Sequence, residues 1–373
     1  MHRALLLLPL LAGCSIRDVS FIGPGVGGDG GGDGGSGDGP GTGGPMRKLY
    51  VLDATRGIYR FDKNPTTGML TLASSNPTAL PSSLNGGEIV TSRDGTRLYV
   101  SQFDVTTPNN GQVTGYQISA TGDLTRINTI PQLPCNPMGL SLHPQGNFLV
   151  IGCNRAIAVF SLGADGALST PSLFQTPATS SIQALLGPNA TCLFAGDGST
   201  AGVGVMPYVV DTTGTPNSLS LSPVAGVRKM VVSPTGTALF LATPNPGGAV
   251  SVGAIQMTCA VGTINAMPTA PLGGNTYELL FDPSGQYLIA AGADVRSFSV
   301  SGTSVTPVSG SPFLTGATFY DAKMDPAVPD KLYLLHAGTV GVEIASFNAG
   351  VITPISGSIA ATGGNSQRFT FAP

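Results

Sequence analysis

The sequence predicts an all-β fold, a seven-bladed β-propeller of four-stranded antiparallel blades. The first observation is a unit that recurs seven times: an apolar strand, a turn rich in Pro, Asp and Gly, and a second apolar strand. Recurrence of a short unit along the whole chain is typical of repeat architectures. The second observation is composition, because 53 Gly, 30 Pro and 41% hydrophobic residues suit short strands joined by tight turns.

The copies of the unit cover the chain from residue 48 to its end. They span residues 89–102, 140–153, 184–197, 230–243, 279–292 and 322–337, and the seventh is split between 48–54 and 368–373. Two further strand-like runs follow each pair of strands, and four-stranded units repeated radially are the blades of a propeller. The run 368–372 is expected to complete the blade of residues 48–75 and to close the ring, since pairing then removes two open sheet edges.

The beginning of the chain is predicted to be a targeting segment rather than part of the fold. An apolar run at residues 4–12 is too short to span a bilayer and ends in Leu11-Ala12-Gly13-Cys14. This resembles a bacterial lipoprotein signal, which implies cleavage after residue 13 and lipid modification of Cys14. The alternative is an ordinary secretory signal with an incidental cysteine. By the same resemblance, Ser15 favours the outer membrane over retention in the inner one.

Three segments therefore organise the chain. Residues 1–13 are the predicted lipoprotein signal peptide, residues 14–45 are the lipidated cysteine with a Gly-rich tether, and residues 46–373 are the propeller. The stretch 23–45 consists mainly of Gly with Asp and Pro, and such a composition forms a flexible spacer. We expect a cell-envelope protein that is held at the membrane through its N-terminal lipid.

Charge excludes one class of partner. Charged residues are only 10% of the chain and the formal net charge is -3, so there is no basic surface for nucleic acid. The expected partners are the membrane, through the anchor, and an envelope protein or a small-molecule ligand.

Several segments resemble the repeats of the lactonase-type (YVTN-like) seven-bladed propellers, a family that includes 6-phosphogluconolactonases. They are KLYVLDA (48–54), DGTRLYVSQ (94–102) and DPSGQYLIAAG (282–292). The resemblance implies the propeller fold over the whole repeat region. It also implies that members with hydrolase or isomerase activity carry histidine or arginine in the central channel. In this chain the candidates are Arg368 and, one position off, Arg228.

Strand alternation predicts one polar ring at the mouth of the channel. Residues two and four before each turn proline are mostly apolar and should pack between blades, so the residue five before it should face the channel. The predicted ring consists of Glu88, Gln183, Lys229, Glu278, Asp321 and Arg368, with Gly139 at the equivalent place in one blade. It is either a binding or acid/base site, or a set of charges that neutralise one another in water. Tyr277 and Tyr320 each precede a ring member and either shape the mouth or pack in the core or rim.

Other catalytic patterns are weak. His143 occupies a turn position where a polar side chain can bond the turn backbone, and His336 ends a strand, so neither is expected to face the channel. No serine lies in a GxSxG elbow, and no His/Cys cluster has metal spacing. We therefore expect no metal and no cofactor.

The four cysteines after Cys14 are expected to form two disulfides, because an exported chain meets an oxidising compartment. Their positions in the blade pattern favour Cys135–Cys153, both on the channel-mouth side, and Cys192–Cys259, both on the opposite side. The alternative is buried free thiols.

Two functions follow from these observations. The leading interpretation is a non-enzymatic envelope lipoprotein whose propeller binds a ligand or protein, because a channel histidine is missing. The alternative is a lactonase-like hydrolase acting on a sugar lactone, with the ring carboxylates in acid/base roles and Arg368 binding an anion.

Overall fold

The computed structural model is an all-β propeller with four-stranded antiparallel blades. It describes residues 48–54, 56–81, 84–104, 110–178, 182–187, 190–199, 204–219, 226–227, 229–244, 250–256, 270–272, 276–325, 328–338, 341–362 and 364–372. The predicted signal peptide and the predicted tether, with Cys14, lie outside these residues. In the described part of the chain, no helix is long and apolar enough to cross a membrane.

The described strands form seven sheets, which we number as blades 1 to 7 along the chain. Blade 1 consists of β1 (Lys48–Asp53), β2 (Gly57–Lys63), β3 (Leu70–Leu72) and the C-terminal strand β29 (Ser366–Ala372). Blade 2 consists of β4 (Asn85–Thr91), β5 (Arg97–Phe103), β6 (Gly111–Ile118) and β7 (Leu124–Leu133). Blade 3 consists of β8 (Met138–Leu142), β9 (Phe148–Cys153), β10 (Ala156–Ser161) and β11 (Ser172–Gln175).

The remaining blades follow the same order. Blade 4 consists of β12 (Ile182–Leu186), β13 (Cys192–Asp197), β14 (Val205–Val210) and β15 (Pro216–Ser218). Blade 5 consists of β16 (Lys229–Val232), β17 (Ala238–Pro244), β18 (Val250–Gln256) and β19 (Ala270–Leu272). Blade 6 consists of β20 (Thr276–Phe281), β21 (Tyr287–Gly292), β22 (Asp294–Ser301), β23 (Ser304–Pro307) and the short β24 (Leu314–Thr315), which pairs with β22. Blade 7 consists of β25 (Phe319–Met324), β26 (Lys331–His336), β27 (Val342–Asn348) and β28 (Val351–Pro354).

The repeated turn joins the innermost strand of a blade to the second strand. Its glycine has a positive φ in each of four blades: 68° at Gly95, 72° at Gly146, 71° at Gly236 and 72° at Gly285. A side chain is strained in this left-handed conformation, which favours glycine there, although Ala190 adopts it in blade 4 with a φ of 55°. The amide of Gly285 closes the turn on the carbonyl of Asp282, 2.9 Å away.

The core lies between blades rather than within them. The inner-strand residues expected to pack there do so: Leu279 and Phe281 are buried with Phe240 of blade 5, and Phe369 and Phe371 are buried against Tyr333 of blade 7. Each described apolar cluster contains strands of two successive blades, and one cluster joins blade 7 to blade 1.

The two ends of the described chain meet in blade 1. The strand β29 pairs antiparallel with β1, with Phe371 opposite Leu49 and Arg368 opposite Leu52. The expected pairing of residues 368–372 with the first strand is therefore present.

A disulfide joins Cys135, just before β8, to Cys153 at the end of β9, which is the pairing that the blade pattern favours. Cys192 begins β13 and is also disulfide-bonded. Its expected partner, Cys259, lies outside the described residues.

Candidate functional site

The predicted ring residues all lie near the start of innermost strands, at one end of the propeller. Each is at most 7% exposed: Glu88 in β4, Gln183 in β12, Lys229 in β16, Glu278 in β20, Asp321 in β25 and Arg368 in β29. We call these six residues the mouth ring. Gly139, at the equivalent place in β8, has a φ of 67°.

Two ion pairs link neighbouring blades within the mouth ring. Lys229 Nζ lies 3.2 Å from Glu278 Oε2, and Arg368 Nε lies 3.2 Å from Glu88 Oε1. The ring carboxylate of Asp321 accepts a 2.8 Å hydrogen bond from the backbone amide of Phe369. Alternation along the strands therefore identified residues that meet in space, although they are far apart in the sequence.

Arg368 is the electrostatic centre of this group. Burial alone lowers the pKa of its guanidinium, but the carboxylates Glu88, Asp321 and Glu278 outweigh burial and raise that pKa above its ordinary value. Arg368 Nη1 also donates to two backbone oxygens, those of Tyr320 at 2.9 Å and Gln367 at 2.6 Å. The guanidinium is thus permanently charged and held in one orientation by three blades.

β-bulges shape the mouth. In β20, β25 and β29 the pairing register shifts directly before the ring residue, so Tyr277, Tyr320 and Gln367 are the extra residues. A bulge locally re-aims side chains and strengthens the twist of its strand. In β4 and β8 the register shift falls at the ring position itself, so Glu88 and Gly139 lie within the bulge.

The bulges bring two tyrosines together beside the mouth ring. The rings of Tyr277 and Tyr320 have centroids 5.4 Å apart and planes at 79°, an edge-to-face pair. Both side chains are half-buried. Sequence analysis noted that each precedes a ring residue, but the contact between them depends on two bulges that no residue pattern announces.

The histidines lie outside the mouth ring, as expected. The ring nitrogen Nδ1 of His143 accepts a 3.2 Å bond from the amide of Gln145 in a turn, and burial lowers the pKa of this imidazole. His336 lies at the mouth end of β26, opposite Phe319, and its Nε2 is 2.7 Å from Glu343 Oε2. This His–carboxylate pair, one strand outward from the ring, was not predicted, because the partner comes from the next strand.

The mouth ring holds the groups needed for acyl chemistry with water. A buried carboxylate can take a proton from water, and a fixed guanidinium can stabilise an oxyanion. In the described residues, no group of three or more His, Cys, Asp or Glu side chains is arranged to hold a metal ion. Arg228, the second arginine suggested by resemblance, lies outside the described residues.

Comparison with solved structures finds proteins that share this fold. A candidate 6-phosphogluconolactonase from Bacteroides uniformis has 20% identity and a TM-score of 0.74, with 88% of this chain and 100% of that chain covered. A second, from Bacteroides fragilis, has 19% identity and a TM-score of 0.73, with 90% and 100% covered. The periplasmic gluconolactonase PpgL of Pseudomonas aeruginosa has 17% identity and a TM-score of 0.71, with 88% and 99% covered.

A search of curated proteins found no match. A family model described as "Lactonase, 7-bladed beta-propeller" matches residues 48–291, which is more than half of the chain and includes four of the six mouth-ring residues. The family resemblance of the repeats is thereby confirmed, and the chain belongs to the lactonase family of seven-bladed β-propellers.

Proposed function

We propose that the protein is a lactonase that hydrolyses a sugar lactone at the mouth ring. The observation that carries this proposal is the buried Arg368 guanidinium, which is held by Glu88 and interacts with Asp321 and Glu278. The family and the lactonase-like neighbours favour this alternative over the binding module that the sequence alone put first. The lack of a predicted channel histidine no longer argues against an enzyme, because carboxylates at the mouth can perform the proton transfer.

The reaction needs one base and one cation. Glu278 accepts a proton from water, and the resulting hydroxide attacks the lactone carbonyl. Arg368 stabilises the negative charge on the carbonyl oxygen of the tetrahedral intermediate, as fixed donors do in acyl transfer. The ring C–O bond then breaks, the released alkoxide takes the proton back, and the product is the open hydroxy acid. Lys229 holds Glu278 in place through its ion pair.

The test is hydrolysis of a lactone panel by the purified chain, at mildly acidic pH where spontaneous opening is slow. Replacing the base by Glu278→Gln should lower kcat by about 10²- to 10⁴-fold. The matched control is Asp330→Asn, since Asp330 is an exposed carboxylate that pairs with Lys331. Thermal unfolding of each variant separates loss of chemistry from loss of fold.

An inert panel, together with specific recovery of an envelope protein in a pull-down, would contradict the enzyme and restore the binding module. Full activity of Glu278→Gln would instead remove Glu278 from the mechanism.

The proposal includes a closed ring of seven blades. Seven sheets in the described residues, the pairing of β29 with β1 and the apolar cluster between blades 7 and 1 support it. It matters for the site, because Arg368 lies on the C-terminal strand β29 and can meet Glu88 of blade 2 only when β29 pairs with β1 in blade 1.

We further propose that this lactonase works in the cell envelope, held at the membrane through Cys14. The Cys135–Cys153 disulfide supports an oxidising compartment outside the cytoplasm. The lipoprotein-like sequence before Cys14 supports the anchor.

A further inference from the structure

We propose that a cleft between the turns of blades 2 and 3 is a second ligand site, which binds a small hydroxylated organic anion through Arg93 and Arg97. The cleft lies at the end of the propeller opposite the mouth ring, because the repeated turn joins the far end of an innermost strand to the second strand. Such a site is separate from the lactonase reaction and does not depend on it.

The cleft is large enough for a small molecule. It has a volume of about 600 Å³ and is lined by the turn of blade 2, the turn of blade 3 and the hairpin between β10 and β11. Cavities of about 300–1,000 Å³ are typical of small-molecule sites. All three lining segments belong to the described part of the chain.

Arg93 is a departure from the repeat. The other copies carry proline at this place: Pro144, Pro188, Pro234, Pro283, Pro326 and Pro373. Proline sets the backbone of such a turn in advance and restricts the unfolded chain, so the fold alone favours it over arginine. Within the described residues, the exposed side chain of Arg93 makes no hydrogen bond and no ion pair, and it lines the cleft.

Arg97 brings a second guanidinium to the cleft in a fixed orientation. Its Nε donates to the backbone oxygen of Asp165 at 2.8 Å, and its Nη1 donates to that of Thr96 at 3.1 Å. The side chain packs directly on Gly166, where a Cβ atom would lie 2.5 Å from Arg97 Nε. Backbone carbonyls hold the guanidinium without neutralising its charge.

The lining carries more positive than negative charge. Asp94 is its one carboxylate, and its oxygens accept bonds from the hydroxyl of Ser92 at 2.5 Å and from the amide and hydroxyl of Thr96 at 3.0 and 2.8 Å. Burial alone would raise the pKa of Asp94, but these bonds and the charge of Arg97 outweigh it and lower that pKa. Both oxygens serve the turn, while two arginines face the cleft of a chain whose net charge is -3.

The two walls of the cleft indicate the class of ligand. A guanidinium pairs with a carboxylate or a phosphate through two parallel hydrogen bonds. The wall from blade 3 presents the exposed amide side chains of Gln145 and Asn147. An amide both donates and accepts, which suits hydroxyl groups. An acidic group on a hydroxylated body of sugar size therefore matches both walls.

The experiment is calorimetry on the purified full-length chain with glucuronate, glucose 6-phosphate and glucose. The three share one ring and differ in carrying a carboxylate, a phosphate or no charge. We expect at least one of the two anions to bind at low salt and glucose not to bind, and the stronger anion identifies the acidic group. Added salt should weaken binding, because it screens the arginines. Inorganic sulfate that binds as tightly as the sugar anions would mean an adventitious ion only and would overturn the proposal.

The decisive variant is Arg93→Pro, which installs the residue of the other copies. Its unfolding temperature should not fall, yet its affinity for the anion should drop at least about tenfold. Arg97→Lys keeps the charge but not the planar fork and should weaken binding several-fold. The matched control is Arg126→Gln, an exposed arginine on β7 of the same blade but outside the cleft, which should leave binding unchanged.

Each remaining outcome contradicts the site. If neither anion binds, the cleft is an empty surface feature. Binding that persists in Arg93→Pro takes place elsewhere on the molecule, and an equal loss in Arg126→Gln means attraction to surface charge in general. Should Arg93→Pro unfold at a lower temperature than the native chain, Arg93→Gln takes its place with the same expected loss.

Discussion

The seam between blades 1 and 7 and the mouth ring both contain buried ion pairs, but they are built differently. At the seam, Lys63 of β2 pairs with Asp325, which follows β25, and both side chains are 0% exposed. The hydroxyl of Tyr333 lies 3.2 Å from Asp325 Oδ2 and 2.6 Å from the oxygen of Gly68. Lys63 Nζ also lies 5.7 Å from the centre of the Phe371 ring.

At the seam, one cation meets one carboxylate among aromatic rings of blades 1 and 7. At the mouth ring, two cations share three carboxylates, the contacts are longer, and half-buried tyrosines lie alongside. A balanced pair sealed in the core serves the fold. The contrast teaches that two groups of equally buried ion pairs can differ in charge balance and in the side chains around them.

The largest effect on stability is expected at the seam. Lys63→Met leaves Asp325 buried without its cation and should lower the free energy of unfolding by about 3–5 kcal/mol. The double variant Lys63→Met/Asp325→Leu should recover most of this loss, because no buried charge then remains. Urea unfolding of the two variants measures both values. A double variant as unstable as the single one would mean that packing, not charge, dominates the seam.

A smaller loss is expected at the mouth ring. Lys229→Met should lower the free energy of unfolding by about 2 kcal/mol, because Arg368 still interacts with Glu278 when Lys229 is gone. The same urea experiment gives the value. A loss equal to that of Lys63→Met would erase the distinction drawn between the two regions.

The smallest effect concerns the seam tyrosine at alkaline pH. Burial, followed by the charge of Asp325, raises the pKa of Tyr333 well above its ordinary value. In the unfolded chain this tyrosine ionises near about pH 10, so above that pH the unfolded state binds fewer protons and stability falls as pH rises.

Tyr333→Phe should therefore cost about 1 kcal/mol at neutral pH, through the lost hydrogen bonds, yet flatten the decline of stability above about pH 10. Urea unfolding at neutral and alkaline pH tests this. An unchanged slope would show that the Tyr333 hydroxyl ionises equally in both states.

Much of this structure could be predicted from the sequence, because a residue's distance from the turn of its repeat indicates whether it faces the core or the channel. The turn glycines and the apolar residues two and four before each turn place Leu279 and Phe369 in the core, and the same count places Glu278 and Arg368 at the mouth. The tyrosine contact could not be predicted in this way, since each bulge inserts a residue where the count ends. The His336–Glu343 contact depends on pairing between two strands, which periodicity within one strand does not reveal.

The position of Arg368 in β29 has a consequence for biogenesis. This strand is synthesised after all the other described strands, and blade 1, whose other strands come first among them, stays incomplete until then. The same final segment carries the guanidinium of the proposed active site. A chain that is released early, or clipped at its C-terminus, therefore lacks both an inner strand and the oxyanion cation. Completion of blade 1 and assembly of the proposed active site are therefore a single step.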